Sequence, residues 1–184
     1  GIGNLYIENY KNAIKSLENG LNFILENDLL KAEFYAYLGD AYHALKNHIL
    51  SDKNYEKCLN LNPENSVVLN NYSYYLCTRD TLLEKALKMS QKSNEIKPKN
   101  SSFQDTYAWI LYKMKKYDDA LFWIKKAIEN NTGKSPIIIE HHGDILFKLN
   151  NIDEAIFQWK LAKELYENPS KSLIKKIITK EIDD

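Results

Sequence analysis

The fold is indicated by residues 105–128, DTYAWILYKMKKYDDALFWIKKAI. In the second half of this stretch, apolar and small residues recur three and four positions apart, which is the spacing of one face of an α-helix. They are Tyr117, Ala120, Leu121, Ile124, Ala127 and Ile128. The first half repeats the pattern with Tyr107, Ala108, Leu111 and Tyr112. Because polar residues 113–116 separate the halves, the stretch predicts a helical hairpin.

Small residues recur through the chain at fixed spacing, which indicates internal repeats. Pairs seven positions apart are Ala13 and Gly20, Ser51 and Cys58, Ala86 and Ser93, Ala120 and Ala127, and Ala155 and Ala162. Another small residue stands twelve or thirteen positions before four of these pairs: Gly39, Ser73, Ala108 and Gly143. Such residues let helix backbones approach to roughly 8–10 Å. Pro63 and Pro98 follow at the positions where helices should end.

With these positions, the chain resembles the tetratricopeptide repeat family, whose unit of about 34 residues combines aromatic residues, Leu-Gly, alanines and a closing proline. The first full repeat matches at Tyr35, Leu38, Gly39, Tyr42, Tyr55 and Pro63. The last matches at Gly143, Ala155, Trp159 and Ala162, although His142 replaces a leucine and the proline comes late, as Pro169. The resemblance implies an all-α, right-handed superhelix (a solenoid) of antiparallel helix pairs. The runs 70–76, NNYSYYL, and 105–112, DTYAWILY, look like those of bacterial repeat proteins of the Bacteroides type.

The repeat register predicts a single domain over residues 1–184. It comprises a partial repeat, four full repeats and a C-terminal capping helix: 1–31, 32–65, 66–100, 101–135, 136–169 and 170–184. The partial repeat retains its second helix, and residues 1–7 would be the remainder of the first. We therefore expect the native chain to continue N-terminally with further repeats. Part of the partner surface of Leu17, Leu21, Ile24 and Leu25 would then be missing.

Local signals place several helix ends. The pair Asn27-Asp28 is predicted to cap a helix over 29–45, with Asp28 as the acceptor of a backbone hydrogen bond. Asparagines at 47 and 150–151 suit the left-handed turns between helices. Residues 130–136 predict a longer loop, which is either an ordinary insertion or a functional irregularity. In that loop Ser135 is expected as the cap and Pro136 as the first residue of the next helix.

The capping helix shows apolar residues with lysines predicted on the opposite side. The apolar residues are Leu173, Ile174, Ile177, Ile178 and Ile182, and the lysines are Lys171, Lys175, Lys176 and Lys180. Repeat arrays need such a lid over their last hairpin. The alternative is a basic helix at a lipid surface, which the acidic residues Glu181, Asp183 and Asp184 disfavour.

Composition narrows the function. The formal net charge is zero, which argues against general nucleic-acid or membrane-surface binding, and there is no apolar run long enough to span a membrane. Cys58 and Cys77 have neither metal-site nor redox-motif spacing and are expected to be free thiols in packing roles. The compartment stays open between the cytoplasm and, behind a removed signal, the periplasm or cell envelope.

The resemblance also implies a binding groove. In the family, the first helix of each repeat lines the concave side of the superhelix. The corresponding groove residues here are Tyr37, Asp40, His43, Asn70, Asn71, Tyr74, Asp105, Trp109, Tyr112, Glu140, His141 and Asp144. Carboxylates would favour a basic or neutral peptide, asparagines its main chain, and aromatics rigid contact. The alternative is that these charged residues form a solvent-exposed face that has no binding role.

One subtype of the family is disfavoured. Repeats that bind acidic C-termini of chaperones share a clamp of Lys or Arg and Asn in the groove. Only Asn71 matches that clamp here. The other clamp positions carry Ala36, Asp40, Ser102 and Thr106, and Asp40 would repel a carboxylate.

Catalytic signals are weak. Glu140, His141 and Asp144 share a helix face and could be read as part of a metal site, but no fourth ligand is apparent. There is no phosphate loop and no nucleophile beside a base, so we predict no enzyme activity and no cofactor. The expected function is a protein-protein interaction scaffold that binds a peptide. The alternative is a homo-oligomerisation module that uses its N-terminal helix.

Overall fold

The computed structural model describes residues 9–24, 26–132 and 134–182. Across these ranges the regular structure consists of ten α-helices and no strands. They are α1 (Tyr10–Leu21), α2 (Asp28–Ala44), α3 (His48–Leu61), α4 (Ser66–Thr78), α5 (Leu83–Ile96), α6 (Ser101–Lys113), α7 (Tyr117–Asn130), α8 (Pro136–Lys148), α9 (Ile152–Leu165) and α10 (Lys171–Thr179). The predicted helix remainder at residues 1–7, the expectation for Leu25 and the terminal residues Asp183 and Asp184 lie outside the described residues.

The helices form hairpins. The pairs α2 and α3, α6 and α7, and α8 and α9 pack most extensively, and each pair is joined by a short turn. The chain divides into two compact units, the first ending at Tyr72 and the second beginning at Ser73, within α4. The two units are described separately.

The core of the first unit forms where α1 packs on α2 and α2 on α3. Ile14 and Leu17 of α1 are buried against Leu38 and Ala41 of α2. The expectation that Leu17 lacks partner surface is wrong, because its side chain is only 1% exposed. Gly39 is required, since a Cβ there would lie 2.6 Å from the Tyr55 ring.

The second unit has two core clusters. One forms between α6, α7 and α8, around Ala108, Ala120, Ile124 and Ile145. The other forms between α8, α9 and α10, around Trp159 and Leu173. The small residues of the repeat pattern are fully buried here, as the predicted close crossings require. At Gly143 a Cβ would lie 2.5 Å from the Trp159 indole.

The turns follow the repeat with one exception. Lys46, Lys115 and Asn150 hold the left-handed position of the first, third and fourth turns. In the second turn the inserted residue changes the path, and both Asp80 and Leu82 have positive φ. The sequence therefore predicted Asn150 well. At the first turn the left-handed residue is Lys46 rather than Asn47, which instead caps α3 through Leu50 N.

The two predicted caps have different outcomes. The cap of α2 is Asn27, whose side chain accepts a hydrogen bond from Leu30 N at 2.9 Å, whereas Asp28, the predicted acceptor, is the first helical residue. Ser135 is the cap residue of α8 and Pro136 its first residue, as predicted, although Ser135 makes no side-chain capping bond. Asn131 organises that loop, because its side chain accepts from Ser135 N and donates to Ser135 O.

The capping helix α10 packs on α9 and buries Leu173. The predicted division of its faces is wrong at two positions. Lys176 is buried, whereas Ile178 is 74% exposed. Leu173, Lys176 and Ile177 are three and four positions apart, so they share the inner face.

Candidate functional site

An acidic pocket in the second unit is built by the helix crossing at Gly143. Because Gly143 has no side chain, the indole of Trp159 passes close over α8. Its Nε1 donates a hydrogen bond to Asp144 Oδ1 at 2.8 Å, and Asp144 is only 4% exposed. The packing rule that selects glycine thus also places a carboxylate in the interior.

Lys176 of α10 fills this acidic pocket. Its Nζ donates to both oxygens of Asp144 at 2.8 Å and to Glu140 Oε1 at 3.0 Å. Burial raises the pKa of Asp144, and Lys176 offsets part of that rise. Burial alone would lower the pKa of Lys176, but Asp144 and Glu140 raise it overall. The ammonium is therefore held in its charged form.

Tyr166, which follows α9, completes the acidic pocket. Burial is the main cause that raises the pKa of the Tyr166 phenol. The carboxylate of Glu140, to which the phenol is hydrogen-bonded, raises this pKa further. Glu140 therefore has two partners from the C-terminal part of the chain, the Tyr166 phenol and the Lys176 ammonium.

Beside the acidic pocket lies a stack of three rings. Trp109 stacks on Tyr112 of its own helix, at a centroid distance of 4.6 Å, and on His141 of α8, at 4.0 Å. Both ring pairs are nearly parallel, with interplanar angles of 8° and 13°. The rings are only partly buried. They form a flat, rigid surface on α6 and α8.

His141 is oriented by Asp105. Its Nδ1 lies 2.8 Å from Asp105 Oδ1. Burial would lower the pKa of His141, but the charge and hydrogen bond of Asp105 raise it above the ordinary value of 6.5. The imidazolium form is thereby favoured, and a cation stacked on an indole gains further attraction.

Seven of the twelve predicted groove residues come together in this part of the second unit. Tyr74 lies near Asp105, whose charge, after burial, raises the pKa of the Tyr74 phenol. We call this set the aromatic-acidic surface: Tyr74, Asp105, Trp109, Tyr112, Glu140, His141 and Asp144. Asp105, Glu140 and Asp144 are all paired within the chain.

The other five predicted residues lie in the first unit. Burial raises the pKa of Asp40, and hydrogen bonds from the Tyr55 hydroxyl and from Asn71 lower it in part. Asn70 donates to Asn71 at 3.3 Å. Tyr37 packs against the core of this unit. His43 lies near the turn, with its ring 5.8 Å from that of His48.

Sequence reasoning missed the residues that complete these sites. The sequence indicates Tyr55 and Trp159 only as matches to the repeat signature, and it predicts Lys176 on the face of α10 opposite the apolar residues. A signal for Lys176 was present, because it follows the buried Leu173 by three positions and precedes Ile177 directly. That spacing puts a lysine on the apolar face of a helix.

The geometry gives no support to a metal site at Glu140, His141 and Asp144. Lys176 stands between the two carboxylates, and His141 is bound to Asp105. Among the described residues, no three acidic, His or Cys side chains are grouped so that they could hold a metal ion.

The two cysteines are free and buried. Burial, followed by the charge of Asp40, raises the pKa of Cys58 to about 11, and burial raises that of Cys77 to about 12. Such thiols are poor nucleophiles, because the thiolate is the reactive form. In the described part of the chain, no helix is both long and apolar enough to cross a membrane.

Comparison of the sequence with known families identifies one repeat. Residues 32–65 match the profile of the tetratricopeptide repeat. This range equals the first full repeat expected from the sequence. Curated proteins gave no significant match.

Several solved structures are similar in fold over most of the chain. PilF of Pseudomonas aeruginosa is 22% identical, with a TM-score of 0.78 over 97% of this chain and 81% of that one. PilW, a type IV pilus biogenesis factor, is 16% identical, with a TM-score of 0.81 over 97% and 82%. A tetratricopeptide repeat protein of Parabacteroides merdae is 16% identical, with a TM-score of 0.77 over 95% and 67%.

These likenesses confirm the predicted resemblance and the all-α solenoid fold, and the organisms named are bacteria. Tetratricopeptide repeat proteins are generally non-catalytic scaffolds that bind other proteins.

Proposed function

We propose that this chain, which has the fold of the tetratricopeptide repeat proteins, is a non-catalytic scaffold that binds a segment of a partner protein on its aromatic-acidic surface. The observation that carries the proposal is the stack of Tyr112, Trp109 and His141. Partly exposed Trp and Tyr side chains are the commonest energetic centres of protein interfaces, because they supply large contact area at low entropic cost.

The charges around the stack favour a basic or neutral segment. Asp105, Glu140 and Asp144 belong to the same surface as the stack, and the ion pairs that they form within the described residues are with His141 and Lys176. An acidic segment would meet carboxylates that are already partly desolvated, which is unfavourable. A lysine or a main-chain amide would instead add a donor to them.

The first unit offers separate contacts of another kind. Asn70 and Asn71 carry amide groups that can hold a peptide main chain. Asn71 already bonds to Asp40, and Asn70 to Asn71, so these amides are held in fixed orientations. We propose them as subsidiary contacts for the same class of ligand.

A display selection tests this proposal. Random peptides would be selected on the native chain, and the affinity of the best peptide would be measured by fluorescence anisotropy. We expect Trp109→Ala to weaken binding at least about tenfold, which corresponds to about 1.4 kcal/mol.

Phe157→Ala is the matched control, since Phe157 is an exposed aromatic of α9 outside the surface. It should bind like the native chain. Retained affinity in a folded Trp109→Ala variant would show that the ring stack is not the binding site.

Self-association through the N-terminal helix is the second candidate. Phe23, just after α1, is 85% exposed, and its neighbours Leu21 and Ile24 are only partly buried. A second copy covering these residues would remove apolar area from water. Light scattering of the native chain and of a Leu21→Asp, Ile24→Asp double variant would separate an oligomer from a monomer.

A further inference from the structure

The helix α10 contacts the aromatic-acidic surface in the way that a helical ligand would. Its inner face carries Leu173, Lys176 and Ile177, which are three and four positions apart. Leu173 is fully buried in the cluster that contains Trp159, and Ile177 packs against the same cluster. Anchors at this spacing are typical of an amphipathic helix bound in a groove.

The acidic pocket itself selects for a lysine. Two carboxylates, Glu140 and Asp144, face one ammonium, and three carboxylate oxygens lie within 3.0 Å of Lys176 Nζ. Asp144 is buried, so an occupant without a positive charge would leave a desolvated carboxylate uncompensated. The pocket therefore distinguishes a basic helix from a neutral one.

Few interactions attach α10 to the rest of the chain. The helix has nine residues, fewer than the roughly 12–15 at which isolated helices become stable in water. Only Leu173 and Lys176 are buried in it. A buried ion pair adds little net stability, because desolvation of both charges offsets their attraction. An equivalent helix of another protein could thus replace α10 at modest cost.

We propose that the acidic pocket of Glu140 and Asp144, with the apolar site under Leu173, is the docking site for a lysine-bearing amphipathic helix of a partner protein, and that α10 is the resident helix which this partner displaces. The inference rests on the proposed function and adds the chemistry of the partner. Its helix would carry a large aliphatic residue three positions before the lysine and another directly after it.

The probe that tests this proposal is a fluorescent synthetic peptide of residues 170–182, added to the full-length chain. In the native chain, the resident α10 competes with the peptide. In the Lys176→Ala variant, α10 loses the ammonium group that binds Glu140 and Asp144. The peptide should therefore displace α10 more readily. We expect this variant to bind the peptide at least about tenfold more tightly than the native chain does.

Two controls isolate the lysine. The variant Lys171→Ala removes an exposed lysine from the same helix and should bind the peptide as the native chain does. A peptide that carries Lys176→Glu should fail to bind either chain, since it would place a third carboxylate in the pocket.

Hydrogen exchange with mass detection reports displacement directly. At saturating peptide, amides of resident α10 should exchange faster while those of α9 keep their protection. The proposal is overturned if Lys176→Ala gains no affinity, or if the peptide binds without loosening α10. Dimerisation of the native chain that persists in the Leu21→Asp, Ile24→Asp variant and is reversed by the peptide would assign the site to a second copy and would equally overturn the proposal.

Failure here is distinguishable from failure of the proposed function. If a selected peptide depends on Trp109 but the α10 peptide does not bind, only the displacement is wrong. If the α10 peptide binds but Trp109→Ala leaves the affinity of selected peptides unchanged, the ring stack is wrong as the binding centre.

Discussion

Two sites in the molecule share the same arrangement of a glycine, an aspartate and an aromatic ring. They differ in one further side chain that bonds to the aspartate. In the first unit, Gly39 is followed by Asp40, which accepts a hydrogen bond from Tyr55. In the second unit, Gly143 is followed by Asp144, which accepts one from Trp159. In both cases, the glycine leaves room for the aromatic ring of the neighbouring helix. That aromatic side chain donates a hydrogen bond to the aspartate that directly follows the glycine.

The two sites differ in the second side chain that bonds to the aspartate. Asp40 receives the neutral amide of Asn71, whereas Asp144 receives the ammonium of Lys176. Burial raises the pKa of both carboxyls. The comparison teaches that the repeat places an aspartate against the aromatic ring of the neighbouring helix in both units. A later helix, α4 or α10, then determines whether the further partner of that aspartate is neutral or charged.

The largest expected effect comes from removing the aromatic ring of either site, Trp159 or Tyr55. Trp159→Ala should lower the free energy of unfolding by about 3–5 kcal/mol, because a fully buried indole is lost and Asp144 loses a donor. Tyr55→Ala should act similarly in the first unit. Trp159→Phe, which keeps a ring without the N–H, should cost less. Urea unfolding followed by circular dichroism measures all three, and equal losses in the Ala and Phe variants would contradict the role of the ring.

A smaller and unequal effect is expected when each carboxylate becomes an amide. Asp144→Asn should cost about 2 kcal/mol, since buried Lys176 then keeps only Glu140 as an acidic partner. Asp40→Asn should cost less than about 1 kcal/mol, because its partners are neutral donors and a partly buried charge disappears. Thermal unfolding of the matched pair measures the difference. Equal costs would show that the second side chain that bonds to the aspartate does not distinguish the sites.

The smallest effect concerns pH. Because the pKa of His141 is raised in the folded chain, its pairing with Asp105 should contribute stability that is full below pH 6.5 and is lost as the pH rises through the folded pKa. Proton NMR of the imidazole should show this elevated pKa. Asp105→Asn should lower it and flatten the dependence of unfolding on pH near neutrality. An unchanged pKa in that variant would contradict the pairing.

The sequence predicted the repeated helix pairs of the fold because packing at helix crossings depends on residue size. Gly39, Ala108 and Gly143 are small for a steric reason that recurs in every repeat, so periodicity reveals them. The helix ends were predicted less well. Asn27 and Asp28 are both good caps, and the choice between them depends on backbone conformation at each position, which the residue types do not determine.

The candidate site was predicted only in part for a related reason. The resemblance to a family selected Asp105, Trp109 and His141 by register, and the structure brings them together. The burial of Lys176 depends on Glu140 and Asp144, which lie 36 and 32 positions away in the chain. No pattern within α10 contains those carboxylates, so its charge suggested an exposed face.

The buried thiols give each unit a chemical reporter of its own. Cys58 lies in the first unit and Cys77 in the second, and both have raised pKa values. A thiol reagent can modify either one only when the surrounding helices open. The rates of labelling at the two positions, resolved by peptide mass, would therefore give the opening free energy of each unit independently, in the unmodified chain.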